Sequence, residues 1–318
     1  MKLICFLIFR SLECSGYIDK WKNSVGKTLI KIWNGLESVP IIGKVFRRAR
    51  YPAKKLASHF MARNMLHWQR RITIVRSSPD NAGIPRMKGA GRSNKGIMVM
   101  HNGIKIHEGS YYGVGMAQLL RENDGVHEPQ EERVFAEVLK VLKPNSHMIE
   151  LGAYWGFYSL WFARDIPWAK CILVEPTSSN LDYGRENFAL NGKTAEYVQA
   201  FVGASAKTEF NKIPEVTVDQ MCRERSIDRL AILHSDIQGA EYEMLLGAEK
   251  MLSDRKVDFV FVSTHSEDLH GKVKSKLVGW GYDLITDVTP EHSYSEDGIL
   301  VMKAREIDFK LPFNVSLR

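Results

Sequence analysis

The sequence has little cysteine and no long apolar run. Its four cysteines among 318 residues, Cys5, Cys14, Cys171 and Cys222, contain no Cys-x-x-Cys pair. Neither a disulfide framework nor a cysteine-based metal site is therefore indicated, and a reducing, cytoplasmic compartment is expected. The apolar stretch "LICFLIF" at 3–9 is too short to cross a bilayer. Because no small-residue cleavage site follows it, no signal peptide is predicted.

The chain also lacks the usual glycine patterns that bind phosphate groups. The strand-like run "MIELG" ends at Gly152, where a nucleotide-binding turn is expected. Tyr154 and Phe157 occupy the positions at which a dinucleotide-binding loop has its second and third glycines. No Gly-Lys-Ser or Gly-Lys-Thr sequence occurs at this turn. NAD, FAD and nucleoside triphosphates are therefore disfavoured as ligands.

Negative charge is scarce in the first part of the chain. Residues 1–100 contain 20 Lys and Arg against 4 Asp and Glu, whereas the remainder contains 24 against 33. Apolar residues recur at helical spacing across 17–75, which predicts short basic helices interrupted at Pro40 and Pro52. This basic amphipathic region, 1–76, either packs on the body of the protein or associates peripherally with anionic membrane or acidic glycan.

Composition divides the rest of the chain into four segments. Residues 77–96 are rich in Gly, Pro and Ser and are interpreted as a linker or mobile loop. Residues 97–142 contain a predicted hairpin that turns at Asn102-Gly103 and a helix that begins at Pro129. This segment could form a lid or an acceptor-binding wall. Residues 143–305 form the predicted core domain, and 306–318 form a tail.

Strand-like runs alternate with helical patterns through the core domain. The runs are 147–151, 171–174, 196–202, 230–235, 257–263, 282–286 and 298–303. This alternation predicts an α/β fold with a Rossmann-like, doubly wound, mostly parallel sheet of seven strands covered by helices on both faces. In such sheets a ligand binds outside the carboxyl ends of the strands, where the strand order reverses.

Two carboxylates stand at that edge of the predicted sheet. Glu150 comes just before Gly152, and its charge suits the ammonium of a ligand with an amino-acid end. Glu175 follows the next strand, 23 positions after Gly152. An acidic residue at about this spacing is the familiar arrangement for binding both hydroxyls of a ribose.

Four stretches resemble one family, the FkbM type of class I S-adenosylmethionine-dependent methyltransferases. They are "IELGAYWGFYS" (149–159), "VEPTSSNLDYGRENFALNG" (174–192), "VTVDQM" (216–221) and "LHSDIQGAEYEMLLGA" (233–248). The last contains the family's Asp-x-Gln/Glu-Gly-x-Glu signature, and the resemblance extends over about 97–304. The sequence departs from the family at Glu150, where Asp is common, and at Tyr154-Trp155-Gly156, where Asn-x-Gly is common.

The resemblance implies the cofactor, the reaction and a set of cofactor-binding residues. The cofactor would be S-adenosylmethionine, and the reaction O-methylation of a sugar hydroxyl in a glycan or polysaccharide, or of a secondary metabolite. The partner would accordingly be a saccharide or another small molecule with a hydroxyl. The implied cofactor-binding residues are Glu150, Gly152, Ala153, Tyr154, Gly156, Glu175, Pro176, Asn191, Ala200, Phe201 and Asp236.

Methylation of a hydroxyl benefits from a general base, and polar clusters that follow the strands offer three candidates. They are Asp236, His265 and His292, and histidine suits this role because its ordinary pKa lies near neutrality. A divalent metal held by Asp236 with Glu267 or Asp268 is an alternative way to orient the hydroxyl.

Two other functional classes stay open. A catalytically inactive methyltransferase-like module could bind anionic membrane or a polyanion through the basic N-terminal region. A nucleic-acid methyltransferase is disfavoured, because the sequence has no Asn/Asp-Pro-Pro-Tyr/Phe motif and the core domain is acidic.

Overall fold

The computed structural model describes residues 64–210 and 213–318. Most of the basic N-terminal region, including the predicted helices interrupted at Pro40 and Pro52, therefore lies outside the described residues. The described chain is helical from residue 64 to residue 77. None of the helices in this part of the chain combines the length and the apolar character needed to span a membrane.

The helices and strands follow one another in an alternating order after a small N-terminal hairpin region. The helices are α1 (64–77), α2 (Gly113–Glu122), α3 (Pro129–Leu139), α4 (Phe157–Asp165), α5 (Ser178–Leu190), α6 (Val218–Glu224), α7 (Glu241–Gly247), α8 (Glu249–Ser253) and α9 (Glu267–Gly279). The strands are β1 (Ser93–Asn94), β2 (Ile97–Val99), β3 (Lys105–His107), β4 (His147–Leu151), β5 (Lys170–Val174), β6 (Glu196–Val198), β7 (Phe201–Val202), β8 (Lys207–Phe210), β9 (Ile213–Val216), β10 (Leu230–Ser235), β11 (Val257–Thr264), β12 (Tyr282–Val288) and β13 (Gly298–Ala304).

Seven strands form the central sheet in the order β12-β13-β11-β10-β4-β5-β6. Strands β6, β5, β4, β10 and β11 are parallel, and β13 is antiparallel to both of its neighbours. The chain builds outward from β4 in one direction through β5 and β6, and then continues on the other side of β4 at β10. The strand order therefore reverses between β4 and β10, which is where a ligand is expected in a doubly wound sheet. This arrangement confirms the predicted fold class and strand number.

The sheet is covered on both faces. Consecutive residues of its strands pack into two different apolar clusters, one on each face. On β4, Met148 packs with residues of α3, α4 and α5, whereas Ile149 packs with residues of α6, α7 and α9. On β11, Phe259 belongs to the same apolar cluster as Met148, and Val260 belongs to the same cluster as Ile149. This alternation follows from the two-residue period of a strand, and double coverage explains why the strands read as continuous apolar runs.

One predicted strand is divided in the structure. The run 196–202 forms β6, which belongs to the central sheet, and β7, which pairs with β9 in a separate sheet of three strands. The prediction of a single strand was therefore wrong, because the run contains no glycine or proline to signal the break at residues 199 and 200. The break places Ala200 and Phe201 beside the carboxyl ends of the central strands.

The segments before the core domain are folded against it. The predicted hairpin forms β2 and β3, with Met98 opposite Ile106. Residues 79–83 form a short 3-10 helix that contains the buried Asp80. The Asp80 carboxylate lies 2.7 Å from Nη1 of Arg133 and accepts a hydrogen bond from the backbone of Ser316 at 2.9 Å. This carboxylate therefore joins the 3-10 helix, α3 and the C-terminal segment.

Candidate active site

The turn after β4 depends on two glycines in the left-handed backbone region. Gly152 has φ +72° and Gly156 has φ +71°. A Cβ atom at Gly152 would overlap the carbonyl oxygen of Asp236, and one at Gly156 would meet the side chain of Leu173. The turn is fixed on its other side because Gly152 and Ala153 donate hydrogen bonds to the Val174 carbonyl, at 2.9 and 3.0 Å. Glycine is therefore required here for close packing of β4 against β5 and β10.

A cavity of about 360 Å³ opens beside this turn, at the carboxyl ends of β4, β5 and β10. Its volume falls within the range of about 300–1,000 Å³ that is usual for small-molecule sites. The sequence-predicted residues that line it are Glu150, Gly152, Ala153, Tyr154, Glu175, Pro176, Ala200, Phe201 and Asp236. We call Gly152, Ala153, Glu175, Pro176 and Ala200 the glycine-turn wall. We call Tyr111, Tyr112, Glu128, His234 and Asp236 the carboxylate wall, which lies in the same cavity.

Glu175 supplies the one carboxylate of the glycine-turn wall. It is buried at the end of β5, and its Oε1 accepts hydrogen bonds from the Thr177 backbone at 2.9 Å and from Nδ2 of Asn180 at 3.2 Å. These two donors hold the carboxylate in place at the cavity. A fixed carboxylate surrounded by small and apolar neighbours is suited to bind a pair of hydroxyl groups.

Opposite charges meet at the base of the cavity. Burial raises the pKa of Glu150, and its Oε2 accepts a hydrogen bond from the Ser159 backbone at 2.9 Å. Burial also lowers the pKa of His234, but the Glu131 carboxylate at 2.7 Å outweighs it and raises the pKa to about 9. His234 is therefore protonated at neutral pH.

The described residues offer no hydrogen-bond partner to Nδ1 of His234, although this atom is buried. His234 lines the cavity and lies opposite Glu150 in the register of β10 and β4, so a cation and a carboxylate adjoin at its base. A ligand with an amino-acid end would satisfy both, since it brings a carboxylate and an ammonium together. The residues present therefore fit S-adenosylmethionine: Glu150 and His234 would hold its amino-acid end, and Glu175 would hold its ribose.

Aromatic side chains form much of the carboxylate wall. Tyr111 stacks on Trp155 with ring centroids 4.7 Å apart and an interplanar angle of 3°. Tyr112 and Tyr154 lie 5.2 Å apart, and Tyr112 remains about half exposed. Trp155, at the middle position of the turn, is thereby packed beneath Tyr111. The large residues at 154 and 155 form the side of the cavity and leave it open.

Glu128 lies among these rings at the start of α3. Its Oε2 accepts a hydrogen bond from the Tyr158 hydroxyl at 2.9 Å and lies 3.3 Å from Nε2 of His127. Burial raises the pKa of Glu128 to about 7, against the opposing effect of His127. This carboxyl therefore changes its charge near neutral pH while facing the cavity.

Glu132 holds the neighbouring histidines in place. Its carboxylate is fully buried and contacts His127 Nδ1 at 2.6 Å and His101 Nε2 at 2.8 Å. It also accepts hydrogen bonds from the backbone N–H groups of His127 and Glu128. Although burial opposes ionisation, the two histidines lower the pKa of Glu132 far below its usual value. Glu132 thus fixes the chain segment that carries Glu128.

A second acidic cluster surrounds His265 at the edge of the cavity. Nε2 of His265 lies 3.3 Å from a carboxylate oxygen of Asp236 and 3.3 Å from one of Asp297, and Nδ1 lies 2.9 Å from Glu241. Burial lowers the pKa of His265, but these carboxylates raise it to about 10. Burial and the charge of Asp236 raise the pKa of Asp297 to about 6. His265 is therefore a cation at neutral pH and cannot accept a proton there.

The same cluster is the one group, within residues 64–210 and 213–318, whose side-chain spacing could hold a metal ion. Ligand atoms of Asp236, His265 and Asp297 lie within 4.8 Å of one another. The predicted metal ligands Glu267 and Asp268 have other partners, since Glu267 accepts a hydrogen bond from the Glu291 backbone and Asp268 pairs with Lys272. The structure thus replaces them with His265 and Asp297.

Residues 149–284 match the family model of the FkbM methyltransferase domain. This span contains the glycine turn, Glu175, Asp236 and His265. The chain carries an FkbM methyltransferase domain. The match confirms the family recognised from these residues and supports methyl transfer that depends on S-adenosylmethionine.

Solved methyltransferases are similar in fold to the FkbM domain and its surroundings, at low sequence identity. Precorrin-6y C5,15-methyltransferase from Geobacter metallireducens is 16% identical, with 54% of this chain and 88% of that chain covered and a TM-score of 0.37. Ribosomal protein L11 methylase from Lactobacillus delbrueckii subsp. bulgaricus is 10% identical, with 57% and 81% covered and a TM-score of 0.39. M. capricolum TrmK in complex with S-adenosylhomocysteine is 6% identical, with 57% and 71% covered and a TM-score of 0.38.

No curated protein was found to match the chain. Because the TM-scores of the solved structures lie below 0.5, the fold assignment rests on the strand order described above.

Several predicted residues do not line the cavity beside the FkbM glycine turn. Gly156 lies behind it at the start of α4, where it allows close packing. Asn191 joins α5 to β3, since its side chain bonds both backbone groups of Lys105. His292 is exposed in a 3-10 helix, with Nδ1 3.1 Å from the Thr289 hydroxyl. The roles predicted for these residues stay predictions.

Sequence reasoning missed His127, Glu128 and Asp297. Two signals pointed to them: the run "HEPQEER" places three glutamates at the start of one helix, and "SEDG" follows a strand at the functional edge. Both patterns are usual for solvated helix ends and loops, so neither by itself indicates a functional site.

Proposed function

We propose that the FkbM domain transfers a methyl group from S-adenosylmethionine to a hydroxyl oxygen of a saccharide. The observation that carries this proposal is the carboxylate wall, where tyrosine rings adjoin the carboxylates of Asp236 and Glu128. Aromatic faces suit the apolar faces of sugar rings, and carboxylates accept hydrogen bonds from several hydroxyls. A hydroxyl-bearing secondary metabolite would fit the same combination.

The proton of the acceptor hydroxyl is assigned to Asp236. S-adenosylmethionine supplies a methyl group on a sulfonium, which an aligned oxygen can take by direct displacement. Asp236 accepts the hydroxyl proton as the new oxygen–carbon bond forms. Oδ1 of Asp236 is held by Gln238 at 3.0 Å and lies next to the protonated His265 at 3.3 Å. His265, proposed from sequence as a base, therefore acts as a positioning residue.

The test measures transfer of isotope-labelled methyl groups from S-adenosylmethionine to a panel of purified oligosaccharides. The expected product retains its label in mild alkali, because an O-methyl ether is stable there whereas a methyl ester is hydrolysed. Label that is lost in alkali, or found only on amine-containing acceptors, would contradict O-methylation. Glu175→Gln provides a matched variant in which the label should fall because cofactor binding is weakened.

Attachment of residues 1–76 to anionic membrane or acidic glycan remains a second proposal. It rests on the charge of this region, most of which lies outside the described residues. A chain that lacks 1–63 should sediment less with vesicles containing phosphatidylserine than the full chain does. Equal sedimentation would contradict attachment to anionic membrane.

A further inference from the structure

A second, smaller cavity of about 230 Å³ lies between α1 and the loop after β12. Cationic side chains dominate its lining, which contains Arg70, Arg71, Arg318 and His67. One carboxylate, Glu296, faces them and pairs with Arg71 at 3.1 Å and with His67 at 3.2 Å. The three arginines therefore leave the cavity with an excess of positive charge.

Two of these arginines have unused capacity to bind an anion. Arg71 is only 8% exposed, and its buried Nε has no hydrogen-bond partner among the described residues. Arg70 is exposed and makes no ion pair within the described part of the chain. Arg70 and Arg71 both line the cavity, and an anionic group there would accept charge-assisted hydrogen bonds from their guanidinium groups.

The cavity is next to the candidate active site. Glu296 lies in it, and the following residue, Asp297, contacts His265 beside Asp236. Consecutive residues are about 3.8 Å apart along the backbone. Burial raises the pKa of Tyr112 to about 12, and the positive charge of Arg71 opposes this rise, so Arg71 also acts on the carboxylate wall. A substrate of a few sugar rings could therefore reach both places.

We propose that the cavity lined by Arg70 and Arg71 binds an anionic group, a carboxylate or a phosphate, of the saccharide that is methylated. The proposal rests on the saccharide O-methylation proposed above and narrows its substrate class to acidic saccharides. The tyrosines and Asp236 then act on a neighbouring ring, whose hydroxyl receives the methyl group.

The test is a calorimetric titration of the full chain with trigalacturonate and with its neutral galactose counterpart. Trigalacturonate should bind more tightly than the neutral trisaccharide, and the difference should shrink at high ionic strength. Arg70→Gln should weaken trigalacturonate binding by about threefold to tenfold, in keeping with an exposed charge pair. Arg70→Glu should weaken it further, and neither variant should change binding of the neutral trisaccharide.

Arg76→Gln is the matched control, because Arg76 lies on the same helix but pairs with Glu122 outside the cavity. Equal effects of Arg70→Gln and Arg76→Gln, or equal affinity for acidic and neutral trisaccharides, would overturn the proposal. Inorganic phosphate provides a further arm. Competition with trigalacturonate in the wild type but not in Arg70→Glu supports one shared anion site, whereas phosphate binding without trigalacturonate binding overturns the assignment to the acceptor.

The same series separates this inference from the proposed function. Arg70-dependent binding of trigalacturonate without methyl transfer to any saccharide would leave the anion site standing and contradict O-methylation. Methyl transfer to acidic saccharides at equal rates in wild type and Arg70→Glu would leave O-methylation standing and contradict the anion site.

Discussion

The two walls of the main cavity differ in how they are built. The glycine-turn wall is assembled from one stretch of the chain, Gly152 to Ala200, with backbone N–H groups and the single carboxylate of Glu175. The carboxylate wall and its supports extend from Tyr111 to Asp297 and contain several histidine–carboxylate pairs. One of these pairs, Glu131 with His234, joins residues 103 positions apart.

This difference indicates a division of tasks. The glycine-turn wall has the shape and the fixed carboxylate needed to hold a ligand, and only one charged group takes part. The carboxylate wall contains groups whose charge is set by neighbours, such as Glu128 with its pKa raised by burial to about 7. Changes in the first wall should therefore alter ligand affinity. Changes at Glu128 and Asp236 in the second wall should alter turnover, whereas His234 adjoins the amino-acid end of the ligand.

The largest expected effect separates turnover from affinity. Asp236→Asn should lower the rate of methyl transfer by about 10²–10⁴-fold, because the hydroxyl loses its proton acceptor. The dissociation constant for S-adenosylhomocysteine should change by less than about threefold, since the side chain remains the same size. Asp182→Asn on the exposed face of α5 is the control. A parallel loss of rate and affinity in Asp236→Asn would show that the walls do not divide these tasks.

A smaller effect is expected on folding at the glycine turn. Gly152→Ala should lower the free energy of unfolding by about 2–4 kcal/mol, because the new Cβ overlaps the Asp236 carbonyl and φ is positive. Gly192→Ala is the matched control, since Gly192 has φ +63° but no atom near its Cβ position. The control should cost about 1 kcal/mol, from backbone strain alone. Denaturant unfolding measures both, and equal costs would mean that close approach to β10 is unimportant.

The dependence of stability on pH should show the smallest effect, and it arises in the carboxylate wall. The folded pKa of His234, which burial lowers but Glu131 raises to about 9, lies above the ordinary value of 6.5. The folded state therefore keeps a proton that the unfolded state releases, so this contribution is complete below pH 6.5 and disappears as pH rises through 9.

Unfolding measured at intervals from pH 7 to 9 checks this prediction. Wild-type stability should decline over that range, and Glu131→Gln should show a shallower decline because His234 loses the carboxylate that holds its proton. Declines of equal slope would assign the pH dependence to other groups, such as His265.

The fold was predictable where local pattern and tertiary structure agree. The apolar runs that became β4, β5, β10 and β11 are buried on both faces, so their continuous hydrophobicity identified them without reference to neighbours. The run 196–202 also resembles a strand, but whether its second half pairs with β5 or with β9 is decided by tertiary contacts. The sequence pattern alone does not determine which of these two strands becomes the partner.

The residues of the candidate site also differ in whether the sequence could predict them. Gly152 and Glu175 were predictable because their spacing follows from the strand–turn–helix unit itself. Glu128 and Glu132 were not, because α3 is buried along its first four residues, Pro129 to Glu132, where a pattern of acidic residues usually indicates solvent. Asp297 and His265 meet only because β11 and β13 are neighbours in the sheet. Contacts of this kind depend on strand order, which the sequence leaves open.

The central claim is that the cavity between β4 and β10 binds the cofactor through the glycine-turn wall. Calorimetric titration with S-adenosylhomocysteine of the wild type, Glu175→Gln and the exposed control Glu186→Gln tests it most directly. We expect one site of micromolar affinity, weakened about 10–100-fold in Glu175→Gln by loss of hydrogen bonds to a charged group, and unchanged in the control. No binding to the folded wild type, or equal binding by Glu175→Gln, would contradict the claim.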